Sequence, residues 1–174
     1  MTIAYRDLKG IGGWLDRNDF TALQAVTAVQ HAAGTTGDVL EIGGFKGRSA
    51  AVLAAGLVAG ETLHVCDPFE DTTGSAANDT ENASSYASLS RQEFETNLRK
   101  FPVAMPVIHQ CISTGLEGQL APRTFRLVHV DGSHLEDLLK KAGYKTTLQY
   151  ADNKVDQQIT QIQNMVNQSP KVLV

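Results

Sequence analysis

Apolar positions along the chain switch repeatedly between a period near two and a period near 3.6, which predicts strands alternating with helices. Residues 19–33 carry Phe20, Leu23, Val26 and Val29 at helical spacing, with Gly34 as the stop. The run 38–42 predicts a strand, 43–47 a glycine turn, and the Ala-rich stretch 49–59, closed by Gly60, a second helix. A strand at 62–66 ends at Asp67, and residues 68–89 form a long polar loop. Ser90 followed by Glu93 has the spacing of a capping box, opening a helix whose buried stripe is Phe94, Leu98 and Phe101. Strands at 107–111 and 125–130 flank a short helix or turn at 114–120. A helix at 134–142, a strand at 145–150, an amphipathic helix at 155–167 and a last strand at 171–174 complete the pattern. Six strands with helices between them predict an α/β fold with an open, doubly wound, mostly parallel sheet.

At 174 residues with 42% hydrophobic and 20% charged residues, the chain has the size and composition of one globular domain, 1–174. A formal charge of −4 gives no electrostatic case for a nucleic-acid partner, and no apolar run reaches membrane-spanning length. The start MTIAYRDLKG lacks the basic and apolar regions of a signal peptide, which predicts a cytoplasmic location. Cys66 and Cys111, in apolar strand-like runs, are expected to be buried, reduced thiols. The averages conceal a break: residues 1–137 hold 7 Arg, 14 Gly and 17 Ala, whereas 138–174 hold no Arg, 1 Gly and 2 Ala. Asn and Gln number 9 in each part, although the second is far shorter, and this shift suggests two origins.

The strongest chemical signal is VLEIGGFKGRSA at 39–50, a strand entering a glycine-rich turn and then a helix. Such a turn brings backbone N–H groups and a helix N-terminus up to a ligand. Its spacing is wrong for a triphosphate-binding loop and it lacks the lysine; Phe45 stands where a dinucleotide site needs a second glycine. Glu41 lies in the strand before the turn, and Asp67 ends the next strand 24 residues after Gly43. An acid near the turn and an acid for ribose hydroxyls suit S-adenosylmethionine, with its sulfonium and amino-acid end, better than a phosphate. A turn whose glycines serve packing alone is the competing reading.

These residues resemble the first motif of class I S-adenosylmethionine-dependent methyltransferases, in the form used by O-methyltransferases related to the catechol enzyme. CDPFE at 66–70, CIS at 111–113 and LVHVDGSH at 127–134 resemble the same group, so the likeness covers about residues 1–137. It implies a three-layer Rossmann-like fold. Its cofactor would be S-adenosylmethionine or S-adenosylhomocysteine, with Glu41 and Gly44 in the binding set and Gly43, Phe45 and Ser49 beside the methionine part. Gly47 would complete the turn, Asp67 would hold the ribose, and Ser113 would lie by the adenine. Asp131 would contact cofactor or, in metal-dependent relatives, a metal; with His134 it makes two candidate ligands, too few to define a metal site.

The segment 138–174 lacks the family's acidic fifth-strand end and closing hairpin, and resembles instead the N-terminal region of periplasmic sugar-binding proteins of the xylose and multiple-sugar type. Together with the composition break, this implies an engineered chimera joined near 135–140, with strand order 3-2-1-4-5-6 and the last strand at an edge. Such a chain would keep the cofactor positions and lose the acceptor wall. The alternatives are an active O-methyltransferase on a small-molecule acceptor and a structural module without ligand. The expected partners are a small-molecule cofactor and neither nucleic acid nor membrane, in a monomer or an edge-paired or swapped dimer.

Overall fold

The computed structural model describes residues 3–71, 79, 89–116, 118–120 and 123–131. The expected helix 134–142, strands 145–150 and 171–174, helix 155–167, His134 and the join near 135–140 lie outside the described residues. Four strands are present among those described: β1 (Asp38–Ile42), β2 (Leu63–Cys66), β3 (Val107–His109) and β4 (Phe125–Val130). They form one sheet in the order β3-β2-β1-β4, every pairing parallel, as expected for this part of the sequence. Strand β1 is central, with Glu41 opposite Val65 on one side and His129 on the other.

Among the described residues, helix α1 (Arg17–Ala32) precedes β1, α2 (Arg48–Ala55) joins β1 to β2, and α3 (Arg91–Leu98) lies between β2 and β3. Helix α1 starts two residues before the expected position because Asp16 caps it. Asp16 accepts from the N–H groups of Asn18 and Asp19, while Asp19 accepts from the N–H of Asp16. Phe20 and Val26 are buried, but Val29 is exposed, so the buried stripe is narrower than the spacing suggested. Helix α2 ends at Gly56 instead of Gly60. There the helices are so close that a Cβ on Gly56 would stand 2.8 Å from Thr27 Cγ2. Ser90 caps α3 by accepting from Glu93 N–H at 3.1 Å, but Glu93 does not close the expected box; it pairs with Lys46 at 3.1 Å.

The two faces of the sheet have different partners. Val39, Leu63, Val65 and Leu127 share a core with Phe20 and Val26 of α1, Ala50 to Ala54 of α2, and Phe94 and Leu98 of α3. On the other face, Leu40 and Cys66 pack with Leu116, Ile42, Cys111 and Val128. Cys66 is buried as expected, whereas Cys111 falls just beyond β3 and is half-buried. Their Sγ atoms are 3.9 Å apart, both thiols are free, and burial pushes the Cys66 thiol up.

Arg126 fastens β4 to the helical layer. Its buried guanidinium forms a two-pronged bond to Glu61, at 2.8 and 2.9 Å, and donates to Gln30 Oε1 and the Gly56 carbonyl. A planar fork reaching three segments is a role lysine cannot fill. Because Arg126 draws on α1, the end of α2 and Glu61 together, it fixes β4 beside β1 and so locates Asp131 at the strand ends.

Candidate functional site

All four strands point their carboxyl ends to the same edge, and the turn after β1, Asp67 after β2, Ser113 after β3 and Asp131 after β4 gather there. Strand β1 leads through α2 to β2 on one side, while β4 lies on its other side, so the chain changes direction between β1 and β4. A crevice opens at such a reversal and is where ligands bind in open α/β sheets. A cleft of about 280 Å³ occupies this position, lined by Gly12, Gly13, Trp14 and Leu15, by Gly43 to Lys46, and by Arg48, Ser49 and Asp131.

The turn is built by close contacts and by one carboxylate. Gly47 begins α2 with φ +91°, a left-handed conformation suited to glycine. A Cβ on Gly44 would stand 2.7 Å from Val65 Cγ1 and 3.1 Å from the Phe94 ring, so only glycine lets the turn lie on the core. Gly44→Ala is expected to cost about 1–3 kcal/mol from overpacking, read as a lower urea midpoint at an unchanged slope. Phe45 takes φ +43°, which costs a non-glycine residue energy and presents its ring to the cleft.

Asp67 is buried beneath the turn. Its Oδ2 accepts from the N–H groups of Gly44 at 2.7 Å and Phe45 at 3.0 Å, and its Oδ1 from Phe69 N–H at 2.7 Å. Burial pushes its pKa up and the three N–H donors pull it down; burial prevails. The residue expected to hold a ribose braces the turn in this structure, and it is not among the residues lining the cleft.

Glu41 is fully buried below the same turn, with Oε1 3.1 Å from His129 Nδ1. Its Oε2 has no hydrogen-bond partner among the described residues. Burial raises the Glu41 pKa against the opposing pull of His129 and Ser49. Burial also opposes a charge on His129, but the bond to Glu41 and the attraction of its carboxylate outweigh it and raise the His129 pKa. The pair thus holds a proton more tightly in the fold than free side chains would.

Of the residues singled out in the sequence, Gly43, Gly44, Phe45, Ser49 and Asp131 come together around the cleft; Glu41, Gly47 and Asp67 support it from below. Ser113 begins a 3₁₀ turn, Ser113–Leu116, beyond β3 and does not line the cleft. Among the described residues no group of three His, Cys, Asp or Glu could hold a metal ion, and no helix is long and apolar enough to cross a membrane. Sequence reasoning missed Gly12 to Leu15, Lys46, Arg48 and His129. The first group has no periodic signal beyond its paired glycines, and His129 acquires meaning only from its register opposite Glu41.

A family model described as a methyltransferase domain matches residues 40–158. The chain belongs to this methyltransferase-domain family. Among solved structures, the O-methyltransferase NovP has a TM-score of 0.54 at 18% identity, covering 71% of this chain and 58% of that one. A putative O-methyltransferase from Klebsiella pneumoniae has a TM-score of 0.50 at 18% identity, covering 92% of this chain and 72% of that one. These likenesses show the fold. The chain spans little more than half of NovP. It is also 46% identical over 44 residues to the multiple sugar-binding periplasmic receptor ChvE of Rhizobium radiobacter; the match covers 25% of this chain and 12% of the receptor.

Proposed function

We propose that this methyltransferase-family chain binds S-adenosylmethionine or S-adenosylhomocysteine in the cleft between the ends of β1 and β4, with little or no turnover. The observation that carries the reading is the glycine turn opening onto the crevice where the sheet changes direction. The donor set suits the amino-acid end of that molecule. The first turn of α2 supplies N–H groups without intrahelical acceptors for a carboxylate, and Asp131 supplies a carboxylate to the same cleft. Beneath them lies Glu41, paired through Oε1 with His129, its Oε2 without a hydrogen-bond partner among the described residues. When bound, S-adenosylmethionine would supply a methyl group activated by its sulfonium. Within the chain, Gly43 and Gly44 allow close backbone approach, Asp67 fixes the turn that presents them, and Ser113 stands at the edge where the adenine is expected.

Low turnover follows from the proposed chimera, in which 138–174 descends from a sugar-binding protein and the acceptor wall is lost. Methyl transfer depends on holding acceptor and methyl in line, so a missing wall would slow it severely. The short match to the sugar-binding receptor supports this origin. The family match runs to residue 158, past the expected join, and is compatible with the second reading, an active O-methyltransferase. Isothermal titration calorimetry with each of the two ligands is expected to give saturable one-to-one binding; no heat with either would overturn the cofactor site and leave a structural module. Acceptor-dependent formation of S-adenosylhomocysteine, assayed with catechol with and without Mg²⁺, would overturn the low-turnover reading.

A further inference from the structure

The cleft contains an aromatic wall in which Trp14, outside the glycine-turn motif, stands against Phe45 of that motif. Trp14 lines its mouth with 67% of its surface exposed, and its ring centroid lies 5.0 Å from that of Phe45, the rings inclined at 34°. Exposure here does not mean looseness, because Trp14 is held through the backbone on both sides. The Arg48 guanidinium donates to the Gly13 carbonyl at 2.7 Å and to the Leu15 carbonyl at 3.1 Å. Gly13 has φ +136°, and a Cβ there would touch Phe45 and Arg48 at 3.4 Å, so the loop lies against the turn.

The aromatic faces of this wall attract a cation; of the other charged groups lining the cleft, Asp131 favours one and Arg48, held by backbone carbonyls, opposes it. Aromatic faces carry negative potential, strongest for tryptophan, and attract a positive group within about 6 Å. Phe45 already has one such neighbour, the Lys46 ammonium 5.7 Å from its centroid, whose charge is balanced by Glu93 at 3.1 Å. Asp131 lines the same cleft. A methionine part seated on the α2 N-terminus places its sulfur a few bonds from the anchored carboxylate, within this small space.

We propose that Trp14, backed by Phe45, is a specificity-determining residue that distinguishes the positively charged sulfonium of S-adenosylmethionine from the neutral thioether of S-adenosylhomocysteine. The proposal rests on the cofactor reading above and names how that site would sense charge. It also predicts an exchange advantage: once the methyl group and its charge have left, the product loses the aromatic contribution and leaves more readily.

Trp14 is the chain's single tryptophan, so its fluorescence reports the site directly. Titration of the full chain with each ligand should change that emission, more for S-adenosylmethionine. Calorimetric Kd values for wild type, Trp14→Phe and Trp14→Leu should then show the preference for S-adenosylmethionine falling about fivefold or more in Trp14→Leu, with Trp14→Phe between. Equal weakening of both ligands would overturn the proposal, because the indole would then be holding a part they share, such as the adenine. Unchanged affinities would overturn it as well. Wild type binding neither ligand would overturn this proposal and the cofactor reading together, whereas either preceding result would leave cofactor binding standing.

Discussion

Replacing His129 with alanine is expected to destabilise the protein by about 3–5 kcal/mol at pH 8 and by much less near pH 5, because it leaves Glu41 buried without its partner. The sign follows from the acid. The Glu41 pKa is already raised in the fold, and without His129 it rises further. A carboxyl whose folded pKa exceeds its unfolded value binds more protons in the folded state. Stability is then retained below about pH 4.5 and lost as pH climbs toward the folded value, at up to about 1.4 kcal/mol per unit. In the wild type His129 adds to the same direction, since its raised pKa gives stability that is full below about pH 6.5 and lost as pH rises through the folded value. Urea denaturation at pH 5, 6.5 and 8 should show the steepest decline for His129→Ala, a shallower one for wild type and the flattest for the Glu41→Gln/His129→Ala double variant. A uniform loss across pH in His129→Ala would mean that only packing had been removed.

Asp67→Asn is expected to lower stability by about 2–4 kcal/mol and to weaken any ligand of the cleft by tenfold or more. The amide keeps one acceptor oxygen where the carboxylate has two, so an NH₂ must face either Phe69 N–H or the Gly44 and Phe45 N–H groups. A buried donor left without an acceptor costs about 1–3 kcal/mol, and a donor facing it adds repulsion. For a chain of this size the melting temperature should fall by roughly 5–15 °C, measurable by differential scanning calorimetry. Affinity should suffer beyond the loss of stability because Phe45 holds a left-handed φ that its Asp67 bond helps to stabilise. An Asn variant with wild-type melting but reduced ligand binding would assign Asp67 a direct contact instead, as the motif alone suggested.

The contrast between these two acids shows what a linear reading can reach. Strand β1 and its turn were legible because a short apolar run followed by Gly43, Gly44 and Gly47 has few other physical uses. The helix at Arg91 was legible because Ser90 announces it. The direction of a side chain was not legible: Asp67 at the end of a strand can face a ribose or the turn beside it, and only the fold shows it accepting from Gly44 and Phe45. The partner of Glu41 was equally hidden, since the spacing from 41 to 129 carries no signal until parallel pairing sets the register. Boundaries moved where tertiary contact overrode local pattern, as at Gly56, which ends α2 against Thr27 although the apolar run continues through Leu57, Val58 and Ala59 to Gly60.

The central place of β1 also has a consequence for how the molecule comes into being. Glu41 and His129 are separated by 88 positions in the chain, and Arg126 reaches Gln30 across 96. Contacts of such separation form late, after the entropy of closing large loops has been met. The pairing of β4 with β1 covers one edge of β1, sets His129 against the buried Glu41 and brings Asp131 to the cleft. Binding at the proposed site is therefore expected to require the finished sheet, because Asp131 reaches the cleft only where β4 pairs with β1.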